Sequence, residues 1–181
     1  MTTLVFFILL FLLLSAFFSG AEIAFISANR LSIEVEKDKG TRVGKVLARF
    51  YNEPREFLSA LLVGNNIALV ILTTLMSRLL EPALITVFSP GWLLFVNTLV
   101  ITAVVLIFGE YLPKVFCRLY ANEVIHAFAF PLVGMKWLLA IPTWMMSKLS
   151  NFSLKYIFRT RIHNDEDAIT RLDLQDFVEG M

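Results

Sequence analysis

Three short stretches of this 181-residue chain set oxygen-bearing side chains beside glycine within otherwise apolar surroundings. In Phe18-Ser19-Gly20-Ala21-Glu22 and the residues just before it, Ser15, Ser19 and Glu22 follow the i, i+4, i+7 rule for one helical face. The second stretch is Gly64-Asn65-Asn66, and the third is Phe108-Gly109-Glu110-Tyr111-Leu112-Pro113-Lys114. Pro113 has no N–H, so in an α-helix the carbonyl of Gly109, four residues earlier, loses its partner beside a carboxylate. Hydroxyl, amide, carboxylate and unpaired carbonyl oxygens are the ligands that a hard cation such as Mg²⁺ takes. The neighbouring glycines would let the helices that carry them approach closely. Each cluster also has a packing explanation. Ser15, Ser19, Gly20, Asn65 and Asn66 could be interhelical glue. Glu110 and Lys114, at i and i+4, could form an ion pair, and Glu22 could pair with a loop cation. Ser59, Thr73 and Ser77 could line a path or a packing seam. His126 and His163 lack metal-ligand spacing and read as interfacial or solvated.

Positioning these groups requires long apolar helices. Hydrophobic residues make up 57% of the chain and charged residues 17%, with mean hydropathy +0.73, a composition that favours the membrane class over a soluble core. Crossing the hydrocarbon takes roughly 20 mainly apolar residues. Leu4 to Phe25, Phe57 to Ser77 and Trp92 to Phe108 come close, and the full spans are placed at about 4–27, 55–80 and 91–111. The first lacks a basic leader and a small-residue cleavage site, so it reads as a retained span. Val124 to Met146 is interrupted by Pro131, Gly134, Lys136 and Pro142 and reads as interfacial helices over about 122–158; the other reading is a tilted fourth span. A juxtamembrane amphipathic helix is placed at about 29–52, because Val43, Leu47 and Phe50 recur at helical spacing among basic residues. The fold class is thus all-α membrane protein, with three transmembrane helices and interfacial helices on one side.

The net charge is only +1, but its distribution orients the chain. Arg30, Lys37, Lys39, Arg42, Lys45, Arg49 and Arg55 fall between the first two spans, against Arg78 alone between the second and third, which places the first loop and the C-terminus in the cytoplasm and the N-terminus outside. A fourth span would carry Lys148, Lys155, Arg159 and Arg161 across. Polar residues from 159 to 181, with Thr170 and Asp173 as a weak capping box, read as a cytoplasmic linker leading into a soluble domain. Cys117, alone, excludes an intramolecular disulfide and a multi-cysteine metal site.

The three stretches, in order and spacing, resemble the signature motifs of the CNNM/CorC membrane domain over nearly the whole chain, most specifically G-E-x-x-P-K at Gly109 to Lys114. The resemblance implies a homodimeric Mg²⁺ transporter in the cell membrane, coupled to Na⁺, with ATP-binding CBS domains following. It carries ligand roles to Ser19, the Gly20 backbone, Asn65 and Glu110, with Asn66 as neighbour and Pro113-Lys114 shaping the site. Many relatives have a further asparagine one turn after Asn65; here that position is Leu69. The rival reading is a non-transporting membrane anchor that dimerises and regulates or assembles cytoplasmic partners. Neither a nucleophile with a base nor a metal-hydrolase motif supports an enzyme, and topology accounts for the basic residues without nucleic acid.

Overall fold

The computed structural model describes residues 1–140, 144, 145 and 148. The chain divides into Met1–Thr143 and Trp144–Met181. In the second unit, Lys148 Nζ lies 4.1 Å from the centre of the Trp144 ring; the expected helix near Thr170 lies outside the described residues.

In the first unit α1 (Thr2–Ser27) is followed by two short helices, α2 (Arg30–Asp38) and α3 (Arg42–Asn52). Then come α4 (Pro54–Leu84), α5 (Pro90–Val104), a π-helical stretch (Val105–Tyr111), α6 (Leu112–Leu119) and α7 (Ala121–Leu138). Among the described residues three helices are long and apolar enough to cross a membrane: Thr2–Ser27, Pro54–Leu84 and Pro90–Leu119, the last being α5, the π stretch and α6 together. The chain is an all-α membrane protein.

Inside hydrocarbon, apolar side chains gain nothing by leaving lipid, so helices associate where small residues let them pack closely. α1 is the hub, touching α4, the π stretch, α6 and α7. Along α4 a stripe of Ala60, Gly64 and Ala68 is buried at four-residue intervals, and on α1 Ser15, Ser19, Gly20, Ala21 and Ala24 are buried. A Cβ built on Gly64 would stand 2.5 Å from Phe18 Cζ, and one on Gly20 would stand 2.5 Å from Cys117 Sγ. By contrast Phe6, Leu9 and Leu13 of α1 are exposed, as lipid-facing residues are.

Residues 29–52, expected as one helix, form two. Gly40 turns with φ 78°, a region that disfavours residues with a Cβ, and Thr41 Oγ1 then accepts from the Gly44 N–H at 3.0 Å to cap α3. Asn29 Oδ1 likewise caps α2, accepting from Leu31 N–H at 3.0 Å. The two helices touch so closely that a Cβ on Gly44 would lie 2.6 Å from the Lys37 backbone nitrogen. The collar they make is stapled to the spans by aromatics: Phe50 stacks on Phe57 at 4.4 Å and Phe25 on Tyr51 at 4.1 Å. Tyr51 Oη donates to the carbonyl of Phe25 at 2.6 Å, satisfying one of the orphan acceptors at the end of α1. Burial pushes the Tyr51 phenol up from 10.0 to about 12, with Arg30 pulling the other way, so this bond contributes fully below about pH 10 and is lost as pH rises through about 12.

α7 runs unbroken through Pro131, where the sequence suggests an interruption. Ile125, Ala129 and Leu132 are buried in the core cluster shared with α1 and α3. α7 is not among the helices with spanning character, and its opposite face, with Phe130, Trp137 and Leu138, is exposed.

Gly20→Ala is expected to destabilise the protein in detergent by about 1–3 kcal/mol through overpacking against Cys117. In the Gly20→Ala/Cys117→Ala double variant most of that loss should return, because without the sulfur the next contact is the Cys117 Cβ at 3.5 Å. Additive losses in thermal melts would contradict this packing. Gly44→Ala should be more damaging than Gly40→Ala in the same melts, since its methyl meets backbone while Gly40 has open space and carries only the left-handed penalty of about 1–2 kcal/mol.

Candidate cation site

The buried polar residues of α1 meet those of the other two spans. Ser15 and Ser19 are the buried polar side chains of the described core, 0% and 1% exposed. Ser15 Oγ donates to Asn65 Oδ1 at 2.8 Å, joining α1 to α4. A Cβ on Gly109 would sit 3.4 Å from the same Ser15 Oγ, at contact distance, so the third span passes directly beside Ser15 here. Ser15 therefore marks the junction of all three spans, a role that the sequence suggested only through its position one turn before Ser19.

Ser19, one turn further along α1, has a buried hydroxyl with no hydrogen-bond partner among the described residues. Leaving a buried polar group unsatisfied costs about 1–3 kcal/mol, and serine in a helix ordinarily avoids this by bonding back to its own backbone. An orphaned oxygen lined up with Ser15, next to the junction, is a donor atom available to a ligand.

The third span reaches the site through its π stretch. Here the Leu112 N–H bonds to the Ile107 carbonyl, five residues back. In that register the next donor, for the Phe108 carbonyl, would be Pro113, which has none. The Phe108 carbonyl thereby loses both helical partners, and the Gly109 carbonyl loses its i+4 partner to the same proline. The sequence indicated only the second, because it presupposed an α-helical register. Glu110 comes next, half-buried, with no hydrogen-bond or ion-pair partner for its carboxylate among the described residues.

The i, i+4 pair between Glu110 and Lys114 does not form. Lys114 Nζ instead lies 3.7 Å from Glu22 Oε2, since the wider π turn rotates the residues beyond it relative to an α-helix. Gly20 is buried against Cys117 in α6, so its backbone runs beside the third span. Asn65 is half-buried and faces α1, whereas Asn66 is exposed and stands apart from the junction: consecutive helical residues point about 100° apart, so one element can receive only one of them. Leu69, one turn beyond Asn65, is half-buried.

The remaining span polars are packing groups. Thr73 and Thr74 hydroxyls donate to the Val70 carbonyl of their own helix at 3.1 and 2.7 Å. Ser77 Oγ accepts from Asn97 Nδ2 at 2.8 Å, clamping α4 to α5; Asn97 had no motif to single it out. Ser59 is half-buried. His126 serves the collar, its Nε2 2.8 Å from Glu36 Oε2, while His163 lies outside the described residues. No group of three or more His, Cys, Asp or Glu capable of holding a metal occurs among the described residues, so any cation site here is built of mixed oxygens.

Comparison with known proteins agrees with this architecture. Residues 5–180 match the Cyclin M transmembrane N-terminal domain. The chain is 27% identical over 178 residues to the UPF0053 inner membrane protein YfjD of Escherichia coli, covering 87% of this chain and 40% of that protein. It is 25% identical over 182 residues to a UPF0053 protein of Haemophilus influenzae, covering 98% and 41%. The chain thus spans about two fifths of the length of these relatives. With Ser15 joining Asn65 and lying beside Gly109, and the match running through all three spans, the chain belongs to the CNNM family as its transmembrane domain.

Proposed function

We propose that the three-span junction binds and carries a divalent cation, Mg²⁺, across the membrane. The orphaned, fully buried Ser19 hydroxyl is the observation that supports this reading most directly. Its shell would be Ser19 Oγ and the Gly20 backbone from α1, Asn65 Oδ1 from α4, and the Gly109 carbonyl and Glu110 carboxylate from the third span, with Asn66 outside it. Mg²⁺ demands near-octahedral oxygen coordination at about 2.0–2.1 Å and gives up water reluctantly, which suits few protein ligands supplemented by water where Leu69 supplies no amide. An amide oxygen has two lone pairs, so Asn65 can keep its bond from Ser15 while coordinating the ion. Glu110, without a cation partner among the described residues, would offset the ion's charge, and the Glu22–Lys114 pair lies further toward the collar.

The family reading extends to a homodimer, Na⁺ coupling, a cytoplasmic collar and C-terminus, and regulatory CBS domains that bind ATP beyond this chain. The competing reading, a non-transporting anchor, draws on the Ser15–Asn65 hydrogen bond, which is interhelical glue worth about 0.6–1.7 kcal/mol whether or not an ion binds.

Mg²⁺ flux into or out of liposomes containing the protein should fall at least tenfold in Glu110→Gln; equal flux from both proteins refutes the role given to Glu110. Saturating Mg²⁺ should also raise the melting temperature of the wild type, by an amount corresponding to about 2.7 kcal/mol at a hundredfold excess over Kd, and Ser19→Ala should lose most of that gain. An absence of Mg²⁺-dependent stabilisation at several salt concentrations would favour the anchor.

A further inference from the structure

Away from the span junction, a cavity of about 460 Å³ opens between α3 and α7, within the range of about 300–1,000 Å³ typical of small-ligand sites. Its floor is apolar, from Val46, Phe50 and Val133, and Trp137, 83% exposed, forms one wall. Its rim is charged. Arg49, Glu53 and Lys136 all line it, and Lys136 Nζ lies 3.3 Å from Glu53 Oε2 and 3.6 Å from Glu56 Oε2. Arg49 is exposed and has no ion pair among the described residues.

Depth narrows the class of ligand. Glu53 immediately precedes α4, and the apolar run of that span begins at Phe57, four residues or about 6 Å further along the axis. The cavity therefore stands at the level of lipid headgroups, where exposed tryptophan concentrates. Charge narrows it further. The rim holds two cations and the carboxylate of Glu53, with Glu56 outside the lining but within 3.6 Å of Lys136, so a simple anion would meet repulsion from Glu53, and free phosphate would leave the apolar floor unused. A headgroup with both a phosphate and a primary ammonium satisfies every feature. The guanidinium of Arg49 matches phosphate oxygens bidentately, a primary ammonium offers three donors to the carboxylates, and acyl chains cover the apolar floor. A quaternary ammonium could donate to neither glutamate, and a single tryptophan does not make an aromatic cage.

We propose that the α3–α7 cavity binds a zwitterionic phospholipid of the ethanolamine type, phosphate on Arg49 and ammonium on Glu53. Occupied in this way, the cavity fixes the collar helix α3 to α7 through the lipid, independently of any ion at the junction.

The test titrates the intact chain in detergent with dihexanoyl phosphatidylethanolamine, phosphatidylcholine and phosphatidylglycerol below their micelle concentrations, and with sodium phosphate, reading tryptophan emission and melting temperature. The ethanolamine lipid should bind tightest. Arg49→Gln should weaken it at least tenfold and Arg49→Lys by less, Glu53→Gln should abolish the preference for ethanolamine over glycerol, and Lys45→Gln, on α3 but outside the cavity, should bind as wild type does. Equal response to the three lipids would reveal only bulk apolar association and overturn the site. So would a response to sodium phosphate matching that to lipid, a preference for choline or glycerol headgroups, or unchanged binding by Arg49→Gln.

Discussion

Close approach to α1 is the constraint on which the rest of this structure depends. A lipid solvent gives apolar helices no reason to associate, so contact has to come from surfaces that fit at short range. α1 carries no Asp, Glu, Lys or Arg before Glu22, and its neighbours reach it where side chains are small or missing: Gly64 under Phe18, Gly109 beside Ser15, and Cys117 over its own Gly20. Enlarging Gly64 or Gly20 would push against Phe18 or Cys117, whereas a methyl at Gly109 would meet Ser15 at ordinary contact distance. Gly20 and Gly64, next to the polar residues, thus serve the fold and the site by one mechanism.

Polar groups in the spans obey a strict accounting, because hydrocarbon supplies no partners. Threonines close on their own helix, Asn97 reaches Ser77, and Ser15 reaches Asn65. A buried hydroxyl left unpaired costs stability. Among the described residues two buried side-chain oxygens are left without a partner, the Ser19 hydroxyl and Asn97 Oδ1, and of these Ser19 lies one turn from the junction, where Pro113 also withholds a donor from the third span. The π register concentrates the effect: with the Leu112 N–H drawn back to Ile107, Phe108 as well as Gly109 loses a helical donor just before Glu110.

At the other end of the spans the collar follows soluble-protein physics. Phe25, Phe50 and Phe57 are almost fully buried, each worth about 1.5–3 kcal/mol where water is the alternative. Polar links add register, with Asn29 N–H donating to Asn122 Oδ1 at 2.9 Å and His126 facing Glu36. Tyr51 binds the collar to the end of α1. The collar is thus held to the spans on one side and to α7 on the other, and the α3–α7 cavity lies where this packing stops.

Membrane class, the three spans and the three polar stretches were legible in the amino-acid sequence, because length, hydropathy and motif spacing are local properties that lipid solvent makes decisive. Even the missing N–H of Pro113 is local. What each group faces came from packing alone. Packing selected Asn65 over Asn66 for α1, since a 100° step per residue leaves only one of them pointing inward. It gave Lys114 to Glu22 rather than Glu110 and widened the third span into a π turn, neither of which follows from α-helical spacing. It broke residues 29–52 at Gly40, where close packing of α2 on α3 required a left-handed turn, and it carried α7 straight through Pro131 because buried contacts with α1 and α3 hold the helix on both sides of the lost donor. Ser15, an ordinary serine in the sequence, became the meeting point of three helices only when they were packed together.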